Sequence, residues 1–134
     1  MRDPDSNGKA IILVVDRDPH VRELEAHFLD RAGFSVVFAE NGESALENAH
    51  RLVPDIIITE ILVPGLDGLA LCRRLKADRE TQGIAVLVFS ILSAAGRASE
   101  AGADAFLRKP LADRVLVDTV EQLLAAQRKT RNER

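Results

Sequence analysis

At 134 residues and 46% hydrophobic content, the chain is sized for one domain with a core of its own. A net charge of -3 gives no case for nucleic-acid binding by the domain as a whole, and a single cysteine excludes an internal disulfide. No apolar run reaches membrane-spanning length and Met1 to Gly8 lacks the apolar stretch of a signal peptide, so the cytoplasm is the expected location.

The polar segment 1–9 reads as a disordered lead-in, and structure is expected from Ala10. Ala10 to Val15 is a continuous apolar run ending in Asp16-Arg17-Asp18-Pro19, a strand followed by a helix that Asp18 caps and Pro19 starts. Val21, Leu24, Phe28 and Ala32 are the expected inner face of that helix, and Gly33 ends it. Phe34 to Ala39 is the second strand, Asn41-Gly42 a turn, and Ala45, Leu46, Ala49 and Leu52 mark the second helix. Pro54-Asp55-Ile56-Ile57-Ile58-Thr59-Glu60 follows. Three consecutive β-branched apolar residues fit a strand buried on both faces of a parallel sheet, delivering Glu60 into a loop punctuated by Pro64, Gly65 and Gly68. Ligands and chemistry sit at that edge of an open α/β sheet, which marks Glu60 as the first candidate site residue.

Leu69, Leu71, Cys72 and Leu75 form a third helix, with Cys72 a small buried hydrophobe. Ile84 to Phe89 is the fourth strand, ending at Ser90. Ser93 to Ala101 is a short fourth helix containing Gly96, Ala105 to Arg108 the fifth strand, and Ala112 to Gln127 the fifth helix. Five βα units give a doubly wound five-stranded parallel sheet with five helices. The basic end, 128–134, reads as a solvated helix end, tail or linker. His20 and His27 lack a third ligand for a metal.

Several pieces together resemble the receiver (CheY-like) domain of two-component response regulators, over nearly the whole chain. They are the strand ending Val14-Val15-Asp16, Pro54-Asp55-Ile56-Ile57-Ile58 with the Pro64-Gly65-Leu66-Asp67-Gly68 loop, Ser90, Gly102-Ala103-Asp104, and Lys109-Pro110. The resemblance implies a flavodoxin-like strand order 2-1-3-4-5 and a cis bond before Pro110, while the stretch between Ser90 and Gly102 is about a turn shorter than is usual in the family. It also implies phosphoryl transfer from a histidine kinase to an Asp at the end of strand three, and Mg²⁺ held by a pair of acids after strand one. Here the acceptor position is Glu60, and the acidic pair is Asp16 and Arg17. The phosphate-contact positions survive as Ser90 and Lys109, and the aromatic switch position is Phe106.

The departures point to an atypical receiver acting as a phosphorylation-independent interaction module in phosphorelay-type signalling, not an enzyme, with no cofactor and no metal. Its protein partner, a histidine kinase or output protein, would dock on the face of helix four, strand five and helix five, without nucleic acid or membrane. Arg17 either takes the place of the metal and clamps a carboxylate through paired donors, or points to solvent at a decayed site. The alternative is a phosphorylatable receiver using Glu60, Asp67 or Asp18, with Mg²⁺ held weakly by Asp16, Glu60 and backbone oxygens. A flavin- or nucleotide-binding enzyme would need a Gly-rich loop after strand one, where Asp16-Arg17-Asp18-Pro19 stands.

Overall fold

The protein is described by a computed structural model covering residues 8–110 and 113–132; the segment 1–7 of the expected lead-in, and Ala112 at the expected start of the last helix, lie outside the described residues. The strands are β1 (Ile11–Val15), β2 (Ser35–Ala39), β3 (Ile56–Thr59), β4 (Ala85–Ser90) and β5 (Ala105–Arg108). The helices are α1 (Pro19–Arg31), α2 (Gly42–Leu52), α3 (Gly68–Ala77), α4 (Ala95–Glu100) and α5 (Asp113–Asn132). All strand pairs are parallel, in the order β2-β1-β3-β4-β5.

The all-apolar strands are buried on both faces because each face carries helices. Alternate residues split cleanly. Leu13, Val15, Ile57, Val86 and Val88 pack with Ala45 and Ala49 of α2, Leu71, Cys72 and Leu75 of α3, and Ala98 of α4. Ile12, Val14, Ile58, Leu87 and Phe89 pack with Leu29 of α1 and with Leu116, Val120 and Leu124 of α5.

Three helix starts obey the cap chemistry: Asp18 accepts from the His20 amide, Asn41 from that of Ser44, and Asp67 from those of Leu69 and Ala70. Helix α4 has only six residues and no side-chain cap. Helix α5 passes the expected end at Gln127, so the basic residues Arg128 and Lys129 continue it. On α1 the inward phase differs from expectation. Leu24 is 56% exposed, while Glu25 and Leu29 are the buried positions.

The loop after β3 is fixed from two sides. Gly68 lies so close to the Glu60 carbonyl that an added Cβ would come within 2.2 Å of its oxygen, and the Leu66 N–H donates to Glu43 of α2 at 2.6 Å. Glu60 therefore stands on a braced chain.

Candidate functional site

At the C-terminal edge of the sheet the ends of β1, β3, β4 and β5 bring Asp16, Glu60, Ser90 and Lys109 together. Glu60 is their hub. Its Oε2 accepts from the Ile61 N–H at 2.6 Å, from the Leu62 N–H at 3.4 Å, and from the Ser90 hydroxyl in a short hydrogen bond. Its Oε1 accepts from the Ile91 N–H at 3.1 Å and from Lys109 Nζ at 3.4 Å. Lys109 Nζ also donates to Asp16 Oδ2 at 2.7 Å and lies 5.2 Å from the centre of the Phe89 ring. A cis Lys109–Pro110 bond follows at once.

Geometry of this kind sets the charge. Burial pushes the Glu60 carboxyl up, but the Ser90 hydroxyl, the Ile91 amide, the Lys109 charge and the Ile61 amide outweigh it and hold the group below the ordinary 4.5. Burial likewise works against the Lys109 ammonium, and its bond to Asp16 and the surrounding carboxylates raise it nonetheless. The site is an ionised network.

Arg17 does not belong to it. The side chain is exposed and makes no hydrogen bond or ion pair with Asp16 or Glu60, because at that position after β1 the chain has already turned outward into the α1 cap. The clamp expected of Arg17 is absent. Among the described residues Lys109 alone bridges the two carboxylates, while the arginine in contact is Arg22, whose Nη1 donates to the Asp16 carbonyl at 2.6 Å. Asp18 and Asp67, the other acceptor candidates, are engaged as helix caps. Ser90 is not a helix cap: it accepts from the Leu92 N–H at 3.1 Å and donates to Glu60. Phe106 is half-buried on β5, packed against the cluster that holds Ala98 of α4.

One member escaped the sequence reading. Glu25 is only 5% exposed on the inner face of α1, and burial first, then the Asp16 and Glu60 charges against the opposing pull of Lys109, raise its carboxyl from 4.5 to about 7. Its only signal in the sequence was its place four residues before Leu29, a core position of the same helix.

Residues 12–121 match the family described as response regulator receiver domain. The chain is 39% identical over 116 residues to the response regulator PleD of Caulobacter vibrioides, covering 84% of this chain and 25% of that protein. To the response regulator MprA of Mycobacterium leprae it is 38% identical over 114 residues, covering 84% and 50%. It thus spans at most about half the length of these relatives. Among solved structures it is similar to a putative response regulator from Chloroflexus aurantiacus, with TM-score 0.84, 35% identity and coverage of 87% and 98%. It is also similar to the signal receiver domain of a histidine kinase from Syntrophus aciditrophicus, with TM-score 0.82, 37% identity and coverage of 87% and 91%. With the strand order, the cis bond and the convergence on Glu60 already in place, the chain belongs to the response regulator receiver domain family of two-component signalling.

Proposed function

We propose that this receiver works as a phosphorylation-independent interaction module. One observation carries the reading: both Glu60 carboxylate oxygens are already held by the donors that a phosphoryl group would need. The Ser90 hydroxyl, the Lys109 ammonium and the Ile91 amide all point at a glutamate supplied by the chain itself. The carboxylate brings one negative charge where a phosphoryl group brings nearly two, so it stands in for part of the modified state.

Mg²⁺, which the family implies, does not fit this donor set. The ion takes an octahedral shell with one or two carboxylates and several waters. Here the carboxylates in reach, Asp16 and Glu60, share the Lys109 ammonium, and the second acid of the pair is an arginine facing outward. No step is assigned to a metal.

A protein partner docks on the face formed by α4, β5 and α5, where β5 is a sheet edge, Phe106 is half-buried and Val115 is 41% exposed. Ile91, whose amide donates to Glu60, is 56% exposed in the connection from β4 to α4, and in this reading it links the site to that face. No described helix is long and apolar enough to cross a membrane. The test is intact-mass measurement after incubation with a small phosphodonor and Mg²⁺. The mass is expected to stay unchanged, and an added ~80 Da, the mass of a phosphoryl group, would overturn the reading in favour of a phosphorylatable receiver.

A further inference from the structure

At the opposite edge of the sheet the C-terminal ends of α2 and α3 meet, bringing His50, Asp78 and Glu80 together. One ligand atom from each lies within 4.8 Å of the others. The imidazole is oriented from behind, because Nδ1 stands 3.0 Å from the Leu46 carbonyl, an acceptor only, and must therefore donate. In the neutral ring Nε2 then carries a lone pair, yet it faces Asp78 Oδ2 at 2.8 Å. In this structure the imidazolium proton fills that place as an ion pair with Asp78, and a metal ion would have to displace it.

The carboxylate is fixed as firmly. Asp78 Oδ1 accepts from the Glu80 N–H at 2.8 Å, which turns Oδ2 toward the ring. The turn is anchored underneath by Thr81, fully buried, whose hydroxyl donates to the Leu75 carbonyl at 2.7 Å. Two helix C-termini add negative potential at the same spot.

The geometry points to a divalent transition-metal site at this corner, with His50 Nε2, one Asp78 oxygen and one Glu80 oxygen as ligands and water completing a tetrahedron. One imidazole and two carboxylates suit Zn²⁺, and the imidazole disfavours Mg²⁺. The carbonyl-held Nδ1–H is the outer contact that metal-bound histidines characteristically make. Ligand oxygens in such a tetrahedron sit about 3.3 Å from the nitrogen, for bonds of about 2.0 Å, so the His50–Asp78 pair must open from 2.8 Å and the exposed Glu80 side chain swing in from within 4.8 Å.

A proton and a metal ion compete for Nε2, so binding the metal releases a proton from the imidazolium form. Arg74 of α3 lies along the same groove as His50 and Glu47. A bound ion would tie α2 to α3 far from Glu60, making this a second, independent site.

Calorimetric titration of the full chain with Zn²⁺ near pH 7.5 tests it. One equivalent is expected to bind, at least tenfold more weakly in His50→Gln and in Glu80→Gln, with His20→Gln and His27→Gln unchanged. On the unaltered protein, Zn²⁺ should shift the NMR amide signals of His50, Asp78 and Glu80 and leave those of Ile61 and Ile91 in place. Wild-type affinity in His50→Gln, no saturable binding at millimolar Zn²⁺, or shifts centred on Ile61 and Ile91 would each overturn the assignment.

Discussion

Glu60 and Glu25 are both buried, at 6% and 5% exposure, and both feel the Lys109 charge, yet their carboxyls move in opposite directions. Glu60 ends β3 where backbone amides, a hydroxyl and an ammonium converge, and these donors outweigh the cost of burial. Glu25 lies along the inside of α1, where the amides are spent within the helix and no donor among the described residues bonds to its carboxyl. Burial then decides, assisted by Asp16 and Glu60, and the group rises to about 7. A strand end can organise a charge, while a helix face buries one at a cost.

The strongest way to break this contrast is to remove the shared cation. Lys109→Met leaves Asp16 and Glu60 buried without the ammonium they share, and breaking a buried ion pair from one side costs about 3–5 kcal/mol. The loss is expected at neutral pH and should shrink as acidification protonates the carboxyls. Denaturant melts at pH 7.5 and 4 check it, and an equal loss at both would mean that lost packing on Phe89 outweighs charge.

Next in size is a pair of glutamines with opposite pH signatures. The folded Glu25 carboxyl is raised, so its favourable contribution is complete below 4.5 and is lost as the pH climbs through about 7. At about 1.4 kcal/mol per pH unit, that interval is worth on the order of 3 kcal/mol. Glu25→Gln should therefore flatten the fall in stability between those values and be the more stable protein at pH 8. Glu60 is lowered, so its contribution is present above 4.5 and disappears as the pH falls through its folded value. Glu60→Gln should cost about 1–3 kcal/mol at neutral pH, as for a hydrogen-bonded buried charge, and little in acid. Urea titrations across pH 3–9 compare the two, and parallel profiles would erase the distinction drawn between them.

These two residues also mark what the sequence could and could not say. Glu60 was legible because an uninterrupted apolar strand leaves one place for its terminal carboxylate, and Ser90 and Lys109 end neighbouring strands of the same parallel sheet. The first helix start was legible too, since Asp18-Pro19 carries its own local chemistry, whereas Asn41-Gly42, read as a turn, is the cap and first residue of α2. Glu25 was not, because the apolar residues of α1 permit two phases a residue apart. Leu24 and Phe28 suggested one and Leu29 fixes the other, and only the sheet beneath decides. Arg17 misled for a related reason: adjacency to Asp16 in sequence says nothing about direction at a residue that begins the turn into α1. The last helix was read short, since no glycine or proline marks its end and the expected stop rested on composition alone.

The smallest expected effect concerns Arg17. If the guanidinium neutralised Asp16 or Glu60, its truncation would remove a charge-assisted bond to a buried carboxylate and cost about 1.5–3 kcal/mol. The side chain is exposed, however, and Lys109 already reaches both carboxylates, at 2.7 and 3.4 Å. Arg17→Ala should then behave as an ordinary surface substitution, within about 0.5 kcal/mol of wild type. Nor should it open a metal site, because the atom that blocks both carboxylates is Lys109 Nζ, which the substitution leaves in place. Thermal melts of both proteins with and without millimolar Mg²⁺ make the comparison, since a ligand raises the melting temperature only by binding the native state. A loss of about 2 kcal/mol without Mg²⁺ would return Arg17 to the site, and a rise with Mg²⁺ confined to Arg17→Ala would show that its charge, even from solvent, keeps the cation away.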